Sequence, residues 1–153
     1  MEYFQNLLPI VYIRRNGEVV VSDRIPEDIC NKCIRGIMIS PKVELSVNEF
    51  YGNYKMALKF AEEKGGRLPK LSDNYLIIEA YEKFLSTVKH LKSLGCKFNE
   101  VSVLDKNQVD IWTSTEIESR FNGEFFYGIN PTTKEVTKLS KIMHRHIRLI
   151  YRH

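Results

Sequence analysis

The spacing of apolar residues along this chain changes period twice. "LLPIVYIRRNGEVVVS" (7–22) sets two apolar runs on either side of Asn16-Gly17. Asn-Gly is a strong hairpin signal, because both turn positions need positive φ. Strands are predicted at about 9–14 and 18–22. "IRGIMIS" (34–40) is a third β-rich run, and "KVELS" (42–46) follows it across Pro41. The period then becomes helical. In "NYKMALKFAEEKGG", Tyr54, Ala57, Leu58 and Ala61 form a stripe, Asn53 can cap the start, and Gly65 can end the helix in the left-handed conformation. In "SDNYLIIEAYEKFLSTVKHLKSLG" the stripe is Ile77, Ala80, Tyr81, Phe84, Val88 and Leu91, with Ser72 as predicted N-cap and Gly95 after the end. Past Gly95 the pattern returns to strand and loop. "NEVSVLDKNQVDIWTSTE" has a polar middle, and "GEFFYGINPTTKEVTKLS" reads as strand, Asn-Pro turn, strand. "RHIRLIYRH" alternates, and is predicted as one strand with Ile147, Leu149 and Tyr151 on one face and His146, Arg148 and Ile150 on the other.

The order is β-rich, two helices, β-rich. Segregated elements of this kind indicate an α+β fold. Between the helices lies "EEKGGRLPKLSDN". Gly65 and Gly66 stop the first helix abruptly. Pro69 pushes Leu68 into an extended conformation, so that Leu68 can enter a core while the chain reverses. Arg67, with five donors, is expected to be partly buried against a carboxylate or a cluster of carbonyls. The corner is expected to fix the angle between two helices leaning on one sheet.

Composition adds bounds. At 153 residues the chain has one domain's worth of core. Apolar residues at 43% and charged residues at 27% are those of a globular protein rather than a disordered one. The net charge of +4 is mild, and the basic residues concentrate visibly only in "KIMHRHIRLIYRH", so nucleic acid is not the expected partner. No run approaches the roughly 18 apolar residues of a membrane span. The first residues, "MEYFQNLLPIVYIRRNGE", lack the basic start, apolar run and cleavage site of a signal peptide, so synthesis and retention in a cytoplasm are expected. Three cysteines, an odd number, argue against a disulfide framework, and all three are expected to be reduced.

Several elements together resemble one family. "A-L-K-F-A-E-E-K-G-G-R-L-P", a capped helix of about twenty residues, "I-W-T-S-T-E", "F-F-Y-G-I-N" and a final "I-R-L-I-Y" are similar to the C-type-lectin-like domain found at the C-terminus of collagen-like bacterial adhesins. Related domains occur in bacterial surface and phage proteins. The resemblance covers about 34–151, with 1–33 as lead-in strands and loop of the same single domain. It implies a C-type-lectin-like fold: two helices on a central antiparallel sheet, with a long loop region. Gly65, Gly66, Arg67, Leu68, Pro69, Trp112, Thr113, Ser114 and Glu116 are the motif residues it marks as structural. The chain departs from the pattern at Lys70, where the family carries Thr. It also lacks the Glu-Pro-Asn, Gln-Pro-Asp and Trp-Asn-Asp triplets of calcium-dependent sugar binding and the paired disulfides of true lectins. The fold carries over further than any ligand.

Each candidate for chemistry has a plainer reading beside it. Cys30 and Cys33 form a CxxC, half a zinc site, with Cys96 far off in sequence; the plainer reading is a loop with two reduced thiols. His144 and His146 would face one way on a strand, which suits a metal or a phosphate, but a solvated strand face needs neither. Ser114 beside Glu116 lacks the Gly-x-Ser-x-Gly context of a nucleophile. In the bland reading Trp112 fills the core, while the hydroxyls and Glu116 satisfy backbone groups. Asp105 and Asp110 flank Lys106, Asn107 and Gln108, and Lys106 opposes a calcium loop.

The expected activity is therefore non-catalytic, without metal or cofactor. An adaptable polar surface built from Asp105, Lys106, Asn107, Gln108, Asp110, Tyr127 and Asn130, with exposed aromatics such as Phe126, would bind a protein or surface glycan. The expected setting is a phage virion component or a bacterial surface-recognition protein, as a homo-oligomer or part of a larger assembly. The rival readings are an enzyme on the same fold, of the formylglycine-generating type, and a small basic nucleic-acid-associated protein.

Overall fold

The computed structural model describes residues 7–101 and 110–153. It contains ten strands and two helices among these residues. The strands are β1 (Ile10–Ile13), β2 (Val19–Ser22), β3 (Cys33–Ser40), β4 (Val43–Ser46), β5 (Phe50–Gly52), β6 (Ile111–Glu116), β7 (Phe125–Asn130), β8 (Glu135–Ser140), β9 (Arg145–Ile147) and β10 (Ile150–Arg152). The helices, α1 (Tyr54–Lys64) and α2 (Asn74–Ser93), lie between β5 and β6. The fold is α+β, but the strands form two five-stranded sheets instead of one central sheet. The first runs β10-β4-β3-β1-β2 and is antiparallel throughout; β1 and β2 are thus integral to it. The second runs β5-β9-β6-β7-β8, antiparallel except for a short parallel pairing of Ile111 with His146.

Each helix serves its own sheet. Ile77, Phe84, Val88 and Leu91 of α2 join Ile10, Ile37 and Leu45 in one core. Ala57 and Ala61 of α1 join Leu68, Trp112, Ile147 and Leu149 in the other. The α1 stripe differs from the predicted one. Leu58 is exposed, and the contact turns instead toward Phe60, whose ring stacks on Phe50 at 4.4 Å. Asn53 caps α1 by accepting from the Met56 N–H at 3.0 Å. At α2 the predicted cap, Ser72, is exposed, and a 3-10 turn (Leu71–Asp73) comes first. The carboxylate of Asp73, buried, accepts from the Lys70 N–H at 2.8 Å in its place.

The corner between the helices joins the two sheets. Gly65 has φ +68°, a left-handed conformation that a Cβ would strain, and it ends α1. Arg67 then exchanges backbone hydrogen bonds with Ile150 in both directions, at 3.0 and 2.7 Å, which ties the corner to β10. Leu68 is buried in the second core. The Pro69 carbonyl accepts from Ser114 N–H at 2.8 Å, and Thr115 Oγ1 accepts from Leu71 N–H at 2.8 Å, which ties the corner to β6. The expected burial of the Arg67 side chain is not found: it is exposed, because the backbone pairing with Ile150 already anchors this residue.

The predicted last strand is broken into β9 and β10, because the chain changes sheet at Arg148–Leu149. Residues 146–150 are buried on both faces, so His146 lies in the interior rather than on a solvated face. The outgoing crossing, from β4 to β5, runs alongside. Arg148 Nη1 donates to the carbonyls of Ser46 at 3.0 Å and Val47 at 3.3 Å. Ser46 Oγ accepts from Leu149 N–H at 2.9 Å. Glu49 Oε2 lies 3.0 Å from His146 Nδ1 and 3.4 Å from Arg148 Nη2. Burial pushes the Glu49 carboxyl up, but the His146 hydrogen bond and the Arg148 charge outweigh it and hold it below its ordinary value.

Two outcomes follow for stability. Leu68→Ala should cost about 2–5 kcal/mol, read from denaturant melts; an unchanged midpoint would show that the corner carries no packing. Glu49 has a folded pKa below the unfolded one. Its contribution is therefore complete above the unfolded value near 4.5 and lost as pH falls through the folded value. Glu49→Gln should lower stability at neutral pH by about 3 kcal/mol and flatten the acid limb of the stability-against-pH curve. An acid limb identical to that of the parent would refute this assignment.

Candidate functional site

Of the predicted contact surface, Asp105, Lys106, Asn107 and Gln108 lie outside the described residues. The other three do not form an open surface. Asp110 is buried, 3.5 Å from Arg145 Nε, and its carbonyl accepts from the His146 N–H at 3.0 Å. Burial raises the Asp110 carboxyl above its usual range against the opposing pull of Arg145 and His146. Asn130 is buried too. Its Oδ1 accepts from the N–H groups of Thr132 at 3.1 Å and Thr133 at 3.0 Å, so it shapes the β7–β8 connection instead of meeting a partner. Tyr127 is half-buried. Phe126, expected to be exposed, is buried and stacks on Tyr54 at 3.7 Å. The ring is taken into the core that it shares with Tyr54, Ala57 and Ala61 of α1.

The Trp-Thr-Ser-Thr-Glu motif is occupied by structure. Trp112 is fully buried and donates Nε1–H to the Gly52 carbonyl at 2.9 Å. Thr113 Oγ1 donates to the Tyr127 carbonyl at 2.7 Å, and Glu116 accepts from the Gly123 N–H. Ser114 has an exposed side chain.

Sequence separation concealed one meeting. Cys30, Cys33 and Cys96 line a single hollow of about 220 Å³. Cys30 donates its S–H to the Leu94 carbonyl at 2.6 Å. Cys96 is buried; burial first, then the neighbouring Cys30, pushes its thiol up to about 11. All three are free thiols in the structure.

A second concave region lies elsewhere among the described residues, as three neighbouring hollows that share lining residues. The first, about 510 Å³, is bordered by Arg14, Arg15 and Lys32. The second, about 230 Å³, shares Ile13 and Cys33 with it and adds Arg35, Phe50 and Lys64. The third, about 440 Å³, shares Arg35 and Tyr151 with the second and adds Arg67, Arg152 and His153. Asp28 is the one acidic lining residue of the three. Aromatic rings hold several of these cations in place. Lys32 lies 4.8 Å over Tyr12, Arg35 3.9 Å over Tyr151, and Lys64 6.0 Å over Phe50.

Arg35 reaches the groove through a β-bulge. Tyr12 pairs with Ile34 and Val11 with Gly36, which leaves residue 35 without an opposite number and turns its side chain outward. Gly36 is then obligatory. A Cβ there would stand 2.5 Å from Glu44 Oε2. The fully buried Glu44 uses that space to accept from Arg35 Nε at 2.9 Å and Nη2 at 2.6 Å. No local signal in the sequence marked this groove, because its cations come from positions scattered between 14 and 153.

No protein-family model, no curated protein and no solved structure matches this chain. Among the described residues no helix is long and apolar enough to cross a membrane.

Thiol reactivity tests the burial pattern. In the native protein Cys30 and Cys33 should react with a thiol reagent and Cys96 should not; in denaturant all three should react. Fewer than three thiols in denaturant would mean that a disulfide forms. Three fast thiols in the native state would mean that the α2 end is open.

Proposed function

We propose that this chain is a non-catalytic interaction module with a C-type-lectin-like fold, which binds a protein or a glycan in the setting of a virion or a bacterial surface. The order of elements supports the fold: β3 and β4 precede a helix–corner–helix unit, and β10 returns to pair with β4. The observation that carries the binding reading is the groove along the first sheet. It gathers cations and rings that sequence disperses. Preset cations beside aromatic rings are a common basis of recognition surfaces. The contact face therefore moves from the 105–110 loop and the Asn130 turn to the groove.

Two double variants separate those faces. Arg14→Glu with Arg15→Glu alters exposed groove residues, and Asn107→Ala with Gln108→Ala alters the loop. Binding to arrayed glycans and immobilised surface proteins should fall at least tenfold in the first and be kept in the second. Loss only in the second would place the contact face on the loop. Equal binding by all three proteins would remove the groove as a recognition surface.

A further inference from the structure

The third hollow of the groove gathers more carboxylate-held cations than either of the others. Its cations are fixed from behind by buried carboxylates. Glu44, with no exposed surface, holds Arg35 by two hydrogen bonds and accepts from His153 Nε2 at 2.7 Å. Asp73, 4% exposed, accepts from Arg152 Nη2 at 3.0 and 3.1 Å and also from the Lys70 N–H. Each carboxylate spends its charge on orientation. Arg35 keeps Nη1 for the hollow, and Arg152 keeps Nη1 and Nε, with no hydrogen bond to any of these among the described residues. Arg67 lines the same hollow, and its side chain is exposed and takes no partner among the described residues. Its backbone is fixed by the two bonds to Ile150.

We infer that this hollow is a seat for a tetrahedral oxyanion, the phosphate or sulfate group of a larger ligand. It rests on the groove being the binding face, and it names the group that face recognises. The donors come from three segments: β3, the corner after α1, and β10. Three guanidinium forks lining one hollow suit a group with three free oxygens, whereas a planar carboxylate is satisfied by one fork. Three guanidiniums stand against two carboxylates, so the hollow carries net positive charge before His153 is counted. The geometry is set before the ligand arrives, which reduces the ordering cost of binding.

The seat is tested by NMR titration of the whole chain at constant ionic strength with inorganic phosphate, inorganic sulfate and, as planar control, acetate. Phosphate or sulfate should shift the backbone amides of Arg67, Arg152 and His153 saturably, and acetate should not. Arg67→Ala, at an exposed side chain, should retain the fold and weaken binding about tenfold, the equivalent of about 1.4 kcal/mol. Arg67→Lys, which keeps charge but loses the fork, should fall between. A sugar phosphate and a sugar sulfate then distinguish the two sources of the group. Shifts that fail to saturate, that acetate reproduces, or that Arg67→Ala leaves unchanged would overturn the seat. If the seat fails while the Arg14/Arg15 variant still loses array binding, the module reading survives without it. If the seat saturates while array binding ignores that variant, the groove-wide reading fails and the seat stands alone.

Discussion

One carboxylate, that of Glu49, sits where the chain passes between its two sheets in both directions. Burying a guanidinium is costly unless its donors are met. Arg148 is buried; its Nη1 donates to the carbonyls of Ser46 and Val47 and its Nη2 lies against Glu49, while Nε has no hydrogen-bond partner among the described residues. His146 meets the same carboxylate from β9. The outgoing and returning crossings are thereby held to one geometry. The pairing of β5 with β9 and of β10 with β4 depends on that geometry, and so do the positions of both cores. An apolar residue in place of Glu49 would leave His146 Nδ1 and Arg148 Nη2 without their shared carboxylate in a buried setting.

The same device recurs nearer the surface with a different result. Glu44 and Asp73 are hidden beneath Arg35, Arg152 and His153, and they aim those side chains at the open groove. A net charge of +4 describes the whole chain and says little about this face. What matters is that the acids lie inside and the cations outside. The bulge at Arg35 and the missing side chain at Gly36 make the inner position of Glu44 sterically available.

Much of the local structure was legible in the sequence. The hairpin around Asn16-Gly17, in which only Gly17 of the pair takes positive φ, the Asn53 cap, the Gly65 stop and the main stripe of α2 follow from rules that act over a few residues. The division into two sheets was not legible, since "RHIRLIYRH" alternates as any single strand would. The pairing of β9 with β5 and of β10 with β4 shows that the strand changes sheets. Exposure in the second sheet was misjudged for a related reason. Phe126 and Asn130 sit in a segment whose polarity suggested a surface, but α1 covers the one and a turn consumes the other. The groove escaped notice because charge counted along a chain does not register residues that only folding brings together.

The return of β10 to β4 has a consequence in time. Ser46 and Leu149, which bond across the crossing, are 103 residues apart. During synthesis on a ribosome, β1 to β4 emerge well before β10, and the outer edge of β4 stays uncovered until the residues between them have been made. Closing so long a loop is entropically slow and delays folding. In that interval the nascent chain exposes an apolar strand edge, the kind of surface that chaperones hold and that neighbouring nascent chains on a polysome can pair with.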